Sequence, residues 1–168
     1  MNTKIFLDFS YGMYVTTTLN DNNIPTGCIT NSVMQITSSP AIFAISINHN
    51  NFTNKCLKKS KRAAISILSQ TAELIVIGTF GFRSGIDFSK FENIPYEIKN
   101  GLAVLKNSCG YILGKIINEV ETTTHTVFFL EVEDAEKFNN ESPMTYTYYH
   151  NIIKGHAPKN APTYIEPQ

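Results

Sequence analysis

The sequence predicts a mainly β fold, a single domain closed as a small antiparallel barrel with a few short helices. Runs rich in β-branched and aromatic residues recur along the chain, separated by Asn, Gly, Ser and Pro clusters that read as turns. Only two stretches carry helical spacing. The strand–helix alternation that a doubly wound sheet needs is missing. A chain of 168 residues suits one domain. Residues 1–155 are expected to form it, with 156–168 as an extended C-terminal tail.

In chain order, Gly12–Leu19 reads as the first strand, and Asn20–Asn23 with Pro25 as a turn. Thr26–Ile36 then returns as one second strand, completing a hairpin. Ser38-Ser-Pro40 precedes Ala41–Ile47, a continuous apolar run expected to be buried on both faces. Phe52–Lys61 switches to helical spacing: Phe52, Cys56 and Leu57 share a face, while Lys55, Lys58, Lys59 and Lys61 point elsewhere. Ala63–Ser69 is a further strand. Thr71–Gly78 predicts a helix capped near Thr71, and Phe80–Phe91 a loop with two glycines, a lone Arg and four phenylalanines. Ser108–Val120 is a long strand in which Gly110 and Gly114 mark bulges or close backbone approach. Thr122–Val132 alternates, with Thr126, Phe128, Leu130 and Val132 on its apolar face and His125, Val127, Phe129 and Glu131 on the other. An aromatic segment, Tyr146–His150, leads into a tail punctuated by Gly155, Pro158, Pro162 and Pro167. The tail is expected to be extended and to pack on a neighbour.

Composition excludes several classes. Hydrophobic residues make up 42% and charged residues 17%, so a sizeable core is available. The 14 Lys+Arg balance the 14 Asp+Glu, which argues against broad binding to nucleic acid or an anionic membrane. Ala41–Ile47, the longest apolar run, falls far short of the ~20 residues of a membrane helix, and no signal peptide is apparent. Cys28, Cys56 and Cys109 form no C-x-x-C pair; reduced thiols and a cytoplasmic location follow as the simple expectation.

Motifs for phosphate loops are absent, as are a G-x-S-x-G elbow and any metal-ligand spacing around His49, His125, His150 and His156. What remains is a set of uncharged polar groups near strand ends: Thr30-Asn31-Ser32-Val33, Ser46-Ile47-Asn48, and Thr53. Short hydroxyls and amides can meet the carbonyl and N–H edge of a heterocycle without bringing charge. One at a time, they equally suit turns and caps.

Together, the blocks YGMYVTT, GCITNSVMQITSSPAIFAISINHNNFTNKCLKKSKRAAISILSQ, GTFGFRSGIDFSKF, THTVFFLEVEDAE and PMTYTYYHNIIKG resemble one family in order and spacing. The chain is similar, from about Phe9 to Gly155, to the flavin reductase-like proteins. Within them it resembles the flavoredoxins and the flavin domain of high-molecular-weight rubredoxins. The resemblance implies an FMN-binding split β-barrel of Greek-key type. It implies an NAD(P)H-dependent oxidoreductase that passes electrons from NADH or NADPH through FMN to an acceptor, and a homodimer. An FMN-binding or redox-sensing module without nicotinamide oxidation is the alternative. A third reading, without the resemblance, is an interaction domain docking through Tyr146–Tyr149.

By the same resemblance, Thr30, Asn31, Ser32 and Val33 lie along the flavin ring. Ser46, Ile47, Asn48 and Thr53 approach the ribityl chain and phosphate. Phe82, Arg83, Ser84 and Gly85 form a second phosphate-side block. His125 stands on the nicotinamide or acceptor side; a strand histidine bonded to Thr123 or Thr126 is the plain rival. Tyr149 and His150 border the cavity or a dimer seam. Lys55 and Lys58 read as solvated, and Cys28 as a small buried hydrophobe. Fused relatives carry a rubredoxin with two C-x-x-C knuckles, which this sequence lacks. The acceptor is therefore expected to be free flavin, a ferric chelate, or a separate rubredoxin-like or diiron protein.

Overall fold

The computed structural model describes residues 2–164. A 3-10 turn at Thr3–Asp8 precedes β1 (Tyr14–Leu19), β2 (Pro25–Thr30), β3 (Val33–Ser38) and β4 (Ala41–Asn48). Then come α1 (Phe52–Ser60), β5 (Arg62–Ile67), α2 (Leu74–Phe82), β6 (Tyr96–Lys99) and β7 (Leu102–Leu105). β8 (Gly110–Glu121), β9 (His125–Lys137) and α3 (Tyr146–Asn151) complete the order. Seven strands form one sheet in the order β2-β1-β5-β8-β9-β4-β3, and β6 and β7 form a separate hairpin.

The sheet order forces closure. Its two edge strands, β2 and β3, are consecutive in the chain and joined only by Asn31 and Ser32. Three Cα steps of about 3.8 Å hold those edges within about 11 Å of each other, so a seven-stranded sheet has to curl round on itself. The Ser46 N–H donates to the Ser32 carbonyl at 3.0 Å, which carries the β3–β4 pairing up to the link itself. Helix α1 packs against β1, β2 and β4 there. The expected single strand over Thr26–Ile36 is thus two strands at opposite edges of the sheet. The break falls where two short polar residues interrupt the run, with neither Gly nor Pro to announce it.

Inside the barrel, Cys28, Ile45, Ile47, Leu57, Ile65, Phe128 and Leu130 are buried together. A second core on the outer face of β1 joins Met13 and Val15 to Ile77 and Phe80 of α2, to Leu105 of β7, and to Tyr146 and Tyr149 of α3. Strand β9 alternates as expected, with Thr126, Phe128 and Leu130 buried. Gly114 sits at a register shift where any Cβ would collide with the Glu131 carbonyl, so the close-approach reading holds. In β4 only the second half, around Ile45 and Ile47, is fully buried, because Ala41–Ala44 cover the barrel beside the exposed edge strand β3.

One local expectation changes and two elements are added. Helix α2 begins at Leu74 behind Glu73 and runs through Phe82, so Thr71 is no cap; its hydroxyl donates to Glu141 at 2.7 Å. Apolar residues all round that helix hide its period, and burial between β2 and the second core decides its course. The β6–β7 hairpin is an addition: Asn100-Gly101, with φ of 48° and 83°, supplies the left-handed turn that such hairpins favour. The aromatic segment is helical: Thr145 caps α3 by accepting from the Tyr148 N–H at 3.1 Å. Residues 165–168 of the expected tail lie outside the described residues.

Candidate functional site

A cavity of about 300 Å³ opens at the seam. Strand β2 and the link after it supply its floor through Gly27–Asn31, and the end of β4 adds Ser46, Ile47 and Asn48. The first turn of α1 contributes Phe52 and Thr53, and the end of α2 with its following loop contributes Gly81–Gly85. The volume lies at the lower end of small-ligand sites.

Buried hydrogen bonds set these walls. The Asn54 amide donates to the Ile47 carbonyl and to the Thr126 hydroxyl, both at 2.9 Å, which pins the start of α1 to β4 and β9. The Thr16 and Thr30 hydroxyls pair at 2.8 Å across β1 and β2. Asn51, preceding α1, makes no side-chain cap; the Asn54 N–H donates to its carbonyl at 3.0 Å, which leaves the Phe52 and Thr53 amides for another acceptor. Gly85 packs so tightly on Thr26 that a Cβ would strike its hydroxyl. That Thr26 hydroxyl is buried without a hydrogen-bond partner.

The electrostatics are one-sided. Arg83, Lys90 and Lys159 line the cavity and no Asp or Glu does. Among the described residues, none of the three joins an ion pair. The Arg83 guanidinium rests over the Phe88 ring, 4.5 Å from its centroid. Lys90 is 3% exposed; its ammonium donates to the Thr79 carbonyl at 2.6 Å and to the Arg83 carbonyl, tying the end of α2 to the following loop. Burial lowers its pKa to about 8, with nearby Arg83 pushing the same way and Cys28 opposing. Burial also pushes the Cys28 thiol up to about 11, so it is a protonated wall group.

Of the residues expected at the site, the structure brings Thr30, Asn31, Ser46, Ile47, Asn48 and Thr53 to one cavity, with Phe82, Arg83, Ser84 and Gly85 opposite and Tyr149 beside them. Ser32 and Val33 lie past the seam, outside the lining. His150 is outside too; its Nδ1 donates to the Gly155 carbonyl at 2.8 Å. His125 pairs across strands with Asn48, one step from the cavity. Its Nδ1 meets the Thr124 hydroxyl at 2.8 Å, so the bonding neighbour is Thr124 rather than Thr123 or Thr126. Its Nε2 is enclosed without a well-aligned partner, the Asn160 backbone standing close enough to offset part of the burial that lowers its pKa; His49 lowers it further.

Two contributions escaped the sequence reading. Lys90 sits in a loop, where a lysine ordinarily reads as solvated. The tail residues His156 and Pro158–Pro162 fold back onto the cavity of their own chain instead of reaching a neighbour. Their only signal is the aromatic Tyr-Tyr-His block just before them, which offers a surface to fold onto.

A closed β-barrel with a polar, cation-lined cavity at its seam is the class of protein that the fold and the site define. The comparisons with known proteins sharpen this class. Residues 6–155 match the model of the flavin reductase like domain, and the chain belongs to that family. It is 36% identical to a high molecular weight rubredoxin of Moorella thermoacetica over 98% of this chain and 72% of that protein. It is 34% identical to a ferric-chelate reductase (NAD(P)H) of Archaeoglobus fulgidus over 99% of both. Among solved structures, the flavin reductase PheA2 in its native state aligns with a TM-score of 0.72 at 26% identity, covering 86% of this chain and 93% of that one. The chain is a flavin reductase-like oxidoreductase. No helix among the described residues is long and apolar enough to cross a membrane.

Proposed function

We propose that the chain binds FMN in the seam cavity and passes electrons from NADH or NADPH through it to an acceptor. The carrying observation is the cavity's charge: three cations and no carboxylate, beside polar groups on β2 and β4. The residues fit the cofactor. The uncapped start of α1, Thr53 and the Arg83–Ser84 loop suit a phosphate. Thr30, Asn31 and the main chain of the seam suit a ring edge with both donors and acceptors.

When bound, FMN supplies the electron-transfer chemistry. The chain's own part is to orient it, to place donors where reduction adds negative charge, and to keep one ring face reachable. The Asn31–Ser32 link suits the second task because it belongs to no strand ladder, although its Ser32 carbonyl is occupied by Ser46. His125, at the rim beside Asn48, is the candidate for contact with the nicotinamide. His125→Ala should slow reduction by nicotinamide several-fold while FMN stays bound; unchanged reduction kinetics remove that role.

The deciding experiment is an anaerobic visible spectrum of the FMN-loaded protein before and after NADH, then NADPH. Bleaching of the flavin band by either nucleotide supports the reductase and names its donor. A band that persists favours a binding or sensing module. No uptake of FMN overturns the cofactor.

A further inference from the structure

The tail crosses the mouth of the cavity and is fastened on opposite sides. The turn after α3 fixes its departure: the Gly155 N–H donates to the Tyr149 carbonyl at 3.0 Å, and a Cβ at Gly155 would strike the Tyr149 ring. The Tyr149 hydroxyl then holds the His156 carbonyl at 3.3 Å. On the α1 side, the Asn160 amide donates to the Asn51 side chain at 3.1 Å. On the β2 side, the Asn31 amide donates to the Thr163 hydroxyl at 2.7 Å. The cavity persists beneath this crossing with Pro158, Lys159 and Ala161 as part of its wall, so the tail covers the space and does not fill it.

We propose that residues 156–163 are a strap that closes over bound flavin and must open for the flavin to leave. The inference rests on the proposal that the cavity binds FMN, and it deepens that reading. Beyond the Tyr149 anchor at its start and the contact of the Asn160 backbone with His125, the strap is held by the Asn160 and Thr163 side chains through neutral hydrogen bonds, each weak enough to break in thermal opening. Both are made to residues flanking the ligand space, so opening at either end uncovers it. Lys159 travels with the strap, and closing it adds a cation to the cavity wall. A strapped flavin is a resident group: it stays through many turnovers, and its electrons leave to an acceptor that docks at the mouth, not by release of reduced flavin.

The test follows FMN fluorescence after dilution of the FMN-loaded 168-residue chain, which gives the release rate, and after mixing, which gives the association rate. Asn160→Ala and Thr163→Val should each speed release roughly five- to tenfold, the loss of one neutral hydrogen bond. Both together should speed it further, and association should be unchanged or faster. Thr163→Ser keeps the accepting hydroxyl and should release like the parent chain. Thermal melts show whether each variant is folded, and should Asn160→Ala fail, the Thr163→Val and Thr163→Ser pair decides. Release from the double variant within twofold of the parent, or slower, overturns the strap while leaving FMN binding intact. A parent chain that takes up no FMN overturns both.

Discussion

The cavity end and the face built from β5, β8 and β9 treat charge in opposite ways. On that face the cations are paired: Arg62 and Lys115 both reach Glu133, at 2.8 and 2.6 Å, Lys61 meets Glu119 at 2.7 Å, and Lys99 meets Glu136 at 3.1 Å. At the cavity, Arg83, Lys90 and Lys159 stand without carboxylates. A chain with 14 charges of each sign is neutral as a whole, yet its local field is not. The acids gather where they offset cations on a solvated sheet, which leaves one concave site positive. Paired surface charges contribute about 0–1 kcal/mol each. Unpaired cations in a half-enclosed site act on whatever anion enters it.

The contrast can be broken most sharply at the phosphate side. Replacing Thr53 and Ser84 together with Ala should cost FMN about 3 kcal/mol of binding, at roughly 1.5 kcal/mol or more for each hydrogen bond to a charged group. Riboflavin, which has no phosphate, should lose little. Parallel titration of both ligands checks this, and equal losses would remove the two hydroxyls from the phosphate site.

A smaller effect is expected from pH. The pKa of Lys90 falls from its ordinary value of 10.5 to about 8 on folding. Between those values the unfolded chain holds the extra proton, so the ligand-free protein should gain stability as pH rises from 8 to 10.5. The gain should be about 1–2 kcal/mol, allowing for screening by solvent in the cavity. FMN affinity should move the other way, weakening through pH 8 as the cavity loses a charge, and Lys90→Met should flatten both curves. Melting temperatures and FMN titrations across that range read the two slopes, and parallel slopes would contradict the assignment.

The smallest effect belongs to the paired face. Arg62→Ala should lower stability by no more than about 1 kcal/mol, since Glu133 keeps Lys115. FMN binding should be unchanged, and a clear loss of affinity would mean that the two regions are not electrically separate.

How far the sequence could be read follows the same divide. Strand β9 and helix α1 were legible because their periodicity is set by one buried face each, Thr126–Leu130 and Thr53–Leu57. The polar blocks of β2, β4 and α1 were legible as a group through their resemblance to a family. The break at Asn31–Ser32 was not, because ring closure, a contact between the first and last strands of the sheet, imposes it and no local signal does. Lys90 was hidden for a related reason: its burial depends on α2 running to Phe82, four residues beyond the expected end at Gly78. The tail folds on partners 109 and 132 positions away, Asn51 and Asn31, at distances where composition carries no information.

The two-residue link between β2 and β3 also makes a prediction about permutation. New chain ends placed between Asn31 and Ser32 would leave every ladder of the seven-stranded sheet formed, since no pairing crosses that point. They would untie the sheet's two borders and let it uncurl, exposing strand edges able to recruit strands from other molecules. Such a permutant should keep its β-sheet signal and its melting cooperativity at high dilution while polymerising as it is concentrated, so that one short link separates a closed ring of strands from an open-ended ribbon.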